Sequence, residues 1–162
     1  MHMTDRSTPT RRSANMSAIR GRDTGPELAV RRALHAAGIG YRLQDRTLPG
    51  RPDIVMKGRR VVIFVHGCFW HRHPGCRFAY SPKSRIDFWQ KKFADNVARD
   101  HKNETRLRDS GWRVLVVWEC ETTDARLLEK RIMRCLSRGT DEARGEASRP
   151  AGGAKGRNRP QD

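Results

Sequence analysis

The chain has 162 residues, enough for one domain with a real core and loose ends. Its 34 Lys and Arg against 18 Asp and Glu give a formal charge of +16 and a pI near 11.1, an excess that implies a polyanionic partner, nucleic acid first. No apolar run approaches the roughly 20 residues of a membrane span and no signal peptide opens the sequence. A soluble, cytoplasmic, nucleoid-associated protein with no membrane partner is therefore expected.

Residues 1–22 are polar and basic, with no apolar periodicity until Met16 and Ile19, and read as an arm suited to lie along phosphates or in a groove. Thr24-Gly-Pro-Glu27 then opens a helix, Thr24 as cap and Glu27 completing a capping box. That helix carries Leu28, Arg31, Leu34 and Ala37 and stops at Gly38, a left-handed terminator. A short strand at 41–44, a rigid turn at 48–52 and a strand at 53–56 follow. Lys57-Gly-Arg-Arg60 connects tightly to Val61–His66, an apolar run that reads as a strand buried on both faces, so these two strands predict a hairpin.

At Gly67 the run breaks into a loop holding Cys68, Phe69, Trp70, His71, His73 and Cys76. From 84 to 109 a helical stripe predicts Ile86, Trp89, Phe93, Val97, Asp100, Glu104 and Leu107 on the inward face. A carboxylate there is costly unless partnered, which singles out Asp100. Arg113–Trp118 is a fourth strand with Cys120 just beyond it, and 123–136 a last amphipathic helix. The Gly/Arg/Ser/Pro-rich stretch 138–162 predicts a disordered basic tail, leaving 23–137 as the folded domain. The order of elements is that of an α/β fold, a small mixed sheet flanked by helices.

Three groups of side chains carry chemistry. Cys68, His73 five residues on and Cys76 three further offer three zinc ligands from one loop, and Cys120 a fourth. Such a closed set is structural; the alternative is buried free thiols, which fits Cys135 better than the other three. Asp53, Glu27, His66, His71 and Asp100 suit a nuclease, which needs a hard cation beside the phosphate, a base for water and help for the leaving oxygen. Singly, Glu27 reads equally as a cap, Asp53 as a turn acceptor and Asp100 as an arginine's ion-pair partner. Phe69, Trp70 and Trp89 suit insertion between base pairs, although Trp89 reads as well as the edge of the core.

Leu48-Pro-Gly-Arg-Pro-Asp53, Phe64-Val-His-Gly-Cys-Phe-Trp-His71, Phe88-Trp89, Asn96-Val-Ala-Arg-Asp100 and Gly111-Trp-Arg-Val-Leu-Val-Val-Trp-Glu-Cys120 together resemble the very-short-patch-repair (Vsr) mismatch endonuclease family. Arg12-Ser-Ala-Asn-Met16, Ile19 and Asp23-Thr24 resemble its N-terminal arm, and the likeness spans about residues 11–137. The resemblance implies a restriction-endonuclease-like fold and a magnesium-dependent nick 5′ of the thymine in T:G mismatches left by 5-methylcytosine deamination. It implies Asp53 and the main-chain carbonyl of Val65 as magnesium ligands. His71, oriented by Asp100, would act in water activation or protonation, and Glu27 and His66 would complete the site. It further implies structural zinc at Cys68, His73, Cys76 and Cys120, a wedge of Phe69, Trp70 and Trp89, and DNA contacts from Met16 and Arg20. Double-stranded DNA with a T:G mismatch is the implied partner, with a link to the mismatch-repair protein MutL, and a monomer is expected. The strand lacks the acidic-x-Lys motif of typical restriction-like nucleases, so His66 and His71 must do work that a lysine does elsewhere.

Two other readings stay open on the residues: a zinc-stabilised, non-catalytic binder of distorted duplex, and a related nuclease for another lesion.

Overall fold

The computed structural model describes residues 23–146 of the 162, those from 138 onward by backbone alone. Helix α1 (Gly25–Ala36) begins where the capping pattern places it, with the Glu27 amide 3.4 Å from the Thr24 hydroxyl. The Glu27 carboxylate reaches back to accept from the Asp23 amide at 3.1 Å and the Thr24 hydroxyl at 3.0 Å. Gly38, at φ +67°, ends the helix, and the Ile39 amide bonds back to the Leu34 carbonyl at 2.9 Å.

Four strands follow: β1 (Arg42–Leu43), β2 (Ile54–Met56), β3 (Val61–His66) and β4 (Arg113–Trp118). They lie in the order β1-β2-β3-β4, antiparallel at the first two junctions and parallel at the third. The hairpin between β2 and β3 is as expected, turned by a 3-10 segment (Lys57–Arg59) and by Arg60 in the left-handed region. Ahead of β2, Pro49 and Gly50 form a type II turn closed by the Arg51 amide on the Leu48 carbonyl at 3.1 Å. Gly50 has φ +73°, and a Cβ there would stand 2.9 Å from that of Asn103, so no larger residue fits. β1 and β2 are each shorter than the sequence suggests, because only Arg42–Leu43 and Ile54–Met56 pair with a neighbouring strand.

Helices α1 and α3 (Ala125–Glu146) cover one face of the sheet, with Val30, Leu34, Leu128, Ile132 and Leu136 packed on Ile54, Met56, Val61, Ile63 and Val117. Helix α2 (Ile86–Asp109), the crossover from β3 to β4, covers the other through Leu107 on Val55, Val62 and Phe64. Full burial of each such side chain is worth roughly 1.5–3 kcal/mol, which is why β3, apolar from Val61 to Val65, is an inner strand of the sheet. Its burial on both faces is as expected.

Two helical expectations need correcting. At 24 residues α2 is about 36 Å long, whereas six-residue strands reach only about 20 Å. The helix overhangs the sheet, so of its expected inward stripe only Phe93 and Leu107 are buried, and Ile86 is 53% exposed. Helix α3 runs to Glu146, ten residues past the expected end and into the stretch expected to be disordered. Residues 147–162 lie outside the described residues.

The register of the parallel pair decides where the chemistry sits. Val61 pairs with Arg113 and His66 with Trp118, so both strands end at one level. The loop after His66 and the 3-10 turn after Trp118 (Glu119–Thr123) therefore leave the sheet side by side.

Candidate active site and metal centre

The first cluster forms at the end of β3. Asp53 directly precedes β2, and its Oδ2 accepts the Val65 amide at 2.7 Å, which fixes the carboxylate against the neighbouring strand. Burial pushes its pKa up to about 6, and the negative Glu27 adds to that against the stabilising Val65 bond. Glu27, the capping-box partner of Thr24 in α1, is itself only 9% exposed and is near enough for its charge to act on this carboxylate. The capping contacts are formed, and they are compatible with a site role for the same carboxylate.

His66 is buried, and its ring lies flat on that of His71 with centroids 4.0 Å apart and planes 7° from parallel. Burial, and then the neighbouring His71, hold the His66 pKa down to about 4, so its ring is neutral near pH 7. The Nδ1 of His71 lies 2.5 Å from Oδ2 of Asp100, across from α2. The Asp100 pKa stays below the usual carboxylate range: burial raises it, and the His71 bond and nearby positive charge outweigh that. The inward-turned Asp100 thus has the partner its position demands. Its other oxygen lies 3.7 Å from the Arg99 guanidinium, so both expected partners, histidine and arginine, are present. Ligand atoms of His66, His71 and Asp100 lie within 4.8 Å of one another.

The second cluster uses alternate residues of the same loop. Cys68, His73, Cys76 and Cys120 bring their donor atoms within 4.8 Å of one another. The His73 Nδ1 is 3.6 Å from the Cys68 sulfur and 3.3 Å from that of Cys120. Two such ligands on a tetrahedral zinc ion stand about 3.6 Å apart. Burial pushes the Cys68 thiol up to about 12 and raises that of Cys120, while the Phe78 amide lowers that of Cys76. Three thiolates cannot share this space without a cation among them, so the donor set fits a soft divalent metal. The His73 ring stacks on Trp118 at 4.3 Å. The Glu119 carboxylate accepts the Cys68 amide at 3.2 Å, tying the loop to the turn that carries Cys120.

The third group is aromatic. Phe69, on the same loop, touches Trp70, Trp89, Phe93 and Tyr80 at centroid distances of 5.1, 5.7, 5.2 and 4.9 Å. Trp70 also meets Trp89 at 5.9 Å, and Asn96 holds the Trp70 carbonyl at 3.2 Å. The three expected wedge residues are thus brought together on the overhang of α2, anchored by the buried Phe93. Sequence reasoning passed over Phe93 as an anchor, and over Tyr80, Arg99 and Glu119. Tyr80 and Arg99 carry no signal of spacing; Glu119 neighbours a ligand and was the most findable. Met16 and Arg20 lie outside the described residues, as does the basic arm.

The family model "DNA mismatch endonuclease Vsr" matches residues 4–77. The DNA mismatch endonuclease Vsr of Escherichia coli is 46% identical over 125 residues, 74% of this chain and 80% of that protein. The Type II nicking enzyme V.XorIIP of Xanthomonas oryzae pv. oryzae is 52% identical over 134 residues, 83% of this chain and 98% of that enzyme. The chain belongs to the Vsr DNA mismatch endonuclease family. A second nicking enzyme, V.NmeAIP of Neisseria meningitidis, is 43% identical over 134 residues, 83% of this chain and 95% of its own length. As a Vsr-family protein the chain is an endonuclease, and its mixed sheet flanked by helices is the restriction-endonuclease-like arrangement of that family. Among the described residues no helix is long and apolar enough to cross a membrane.

Proposed function

We propose that this Vsr-family enzyme nicks one strand of duplex DNA just 5′ of the thymine of a T:G mismatch. The observation that carries this reading is the meeting of Asp53, His66, His71 and Asp100 at the end of β3, beside a cluster of large aromatic rings. Together these groups suit hydrolysis beside a point of insertion into duplex DNA.

Asp53, with the Val65 carbonyl, is the proposed holder of magnesium. A carboxylate kept charged at the cost of burial, with Glu27 alongside, suits a hard cation bound through oxygen. When bound, that ion supplies charge stabilisation at the phosphate. The protein's own groups do the rest. Asp100 fixes the His71 ring through Nδ1, which leaves Nε2 to exchange a proton with water or with the leaving 3′ oxygen. His66, neutral and stacked on His71, keeps that ring from tilting and adds no competing charge. In this reading Glu27 holds a water near Asp53. Zinc is the proposed occupant of Cys68, His73, Cys76 and Cys120, where it pins the loop that carries His71, Phe69 and Trp70. Those rings with Trp89 enter the duplex where pairing is already weak, and Met16 and Arg20 of the arm add contacts. The enzyme acts as a monomer, and MutL is its proposed repair partner.

A strand-labelled nicking assay tests the proposal, comparing T:G with T:A duplex, magnesium present or absent, for wild type and Asp53→Ala. The expected result is one nick 5′ of the mismatched thymine that needs both magnesium and Asp53, with binding kept in the variant. Binding without a nick across varied flanking sequences would sink it and favour a non-catalytic binder. A nick at another mismatch would favour a related specificity.

A further inference from the structure

The aromatic cluster has two rows. Phe93 is buried, and Phe69, Trp70 and Trp89 are half-buried against it and one another, so the proposed wedge is largely packed on itself. Outside it stand two rings that the core does not use: Tyr80, 64% exposed, and Phe88, 46% exposed. Each touches the inner row, Tyr80 on Phe69 at 4.9 Å and Phe88 on Trp89 at 5.4 Å, so the four rings form one continuous surface.

Cations are interleaved with these rings. The Arg85 guanidinium lies 4.6 Å from the centre of Phe88, and the Lys92 ammonium 5.9 Å from Phe88 and 6.0 Å from Trp70. The Tyr80 segment is held in place by Arg72. That side chain stacks 4.3 Å from the centre of Phe93 while donating to the Tyr80 carbonyl at 2.9 Å and the Ser81 hydroxyl at 3.2 Å. Arg72 and Arg85 both have backbones in the left-handed region, φ 56° and 52°, which non-glycine residues keep only where their surroundings fix them. A core has no use for exposed rings placed at this cost.

Exposed rings alternating with cations match one kind of partner: nucleotides whose bases are unstacked and whose phosphates remain charged. Paired duplex offers no free base faces. We infer that Tyr80 and Phe88 form an outer shelf that stacks the bases opened beside the wedge, with Arg85 and Lys92 at the phosphates. The inference deepens the proposed function, resting on its reading that DNA is opened on this face. It also gives the chain an affinity for single-stranded DNA.

The test uses the full chain with Tyr80→Ala, Tyr80→Phe, Phe88→Ala and Phe88→Tyr, and measures anisotropy-based affinity for a short oligothymidylate, a T:G duplex and its T:A control. Each alanine variant is expected to weaken the single strand and the T:G duplex about tenfold or more and the T:A duplex less than about twofold, while the ring-conserving variants stay near wild type. Unchanged single-strand affinity overturns the shelf, as does an equal loss on all three DNAs or failure of the ring-conserving variants to recover. Unchanged melting temperatures would exclude misfolding. Wild type that binds T:G and T:A duplexes alike would count against the proposed mismatch reading, while the single-strand arm still decides the shelf.

Discussion

One loop serves two centres that differ in how they are assembled. His66 and His71 point to the carboxylate side, and Cys68, His73 and Cys76 to the sulfur side, interleaved along eleven residues. The sulfur centre draws three of its four donors from the loop and the last from the neighbouring strand's end. The carboxylate centre needs α1 for Glu27, the residue just before β2 for Asp53, β3 for His66, the loop for His71 and α2 for Asp100. The sulfur centre is closed by its own ligands; the other is open, its groups held by hydrogen bonds and stacking. The sulfur centre is therefore expected to set the geometry of both, and the carboxylate centre to influence only itself.

The sharpest way to break that asymmetry is Cys120→Ser. One ligand lost from a structural zinc site removes much of a binding energy on the order of 10 kcal/mol. Metal content by mass spectrometry is expected to fall from one zinc per chain toward none, with nicking lost alongside. Zinc lost with nicking retained would show that the two centres are independent. The converse variant is Asp100→Asn, which takes away the His71 orienter and leaves every sulfur ligand. Zinc is expected to stay, while the single-turnover nicking rate falls about 10²–10⁴-fold, the usual worth of a positioned acid or base. A rate within a few-fold of wild type would reduce Asp100 to an ion-pair partner of Arg99.

This difference in assembly also governed what could be read from the chain. Spacing alone predicts Cys68, His73 and Cys76, because a metal ion reads ligands a few residues apart, and β3 and β4 follow from unbroken apolar runs. Cys120 was named as the fourth from its place just beyond a strand, and the parallel register of β3 and β4 is what brings it to the other three. Asp100 was legible for another physical reason, as a carboxylate where burial is costly. Arg99 and Tyr80 were not legible, since exposed side chains are placed by tertiary contacts and have no periodicity. The overhang of α2 was misread because helical periodicity reports which side faces inward, not how far the sheet extends beneath it. For the same reason Ile86 continues an apolar stripe and yet is exposed.

The smallest of these effects concerns stability, and it sharpens the claim that the carboxylate centre carries its own strain. Asp53 has a folded pKa of about 6 against 3.8 ordinarily. Its charged form is disfavoured in the folded state, at full cost above pH 6, and the cost vanishes as pH falls toward 3.8. That difference corresponds to a cost on the order of 3 kcal/mol. Asp53→Asn keeps an oxygen to accept the Val65 amide and loses the charge. In magnesium-free buffer at pH 8 it is expected to raise the melting temperature on the order of 10 °C. His66 works in the opposite sense. Its folded pKa of about 4 lies below the ordinary 6.5, so the unfolded chain takes up the proton first and stability falls as pH drops through that window, again by about 3 kcal/mol. In wild type the gain at Asp53 and the loss at His66 nearly cancel between pH 6.5 and 4. Asp53→Asn removes the gain and exposes the loss, so its advantage should shrink steadily on acidification and be gone near pH 4. Melting curves for the two proteins that run parallel across that range would mean that the Asp53 carboxylate is not under strain. The case for a cation there would then rest on the oxygen donors alone.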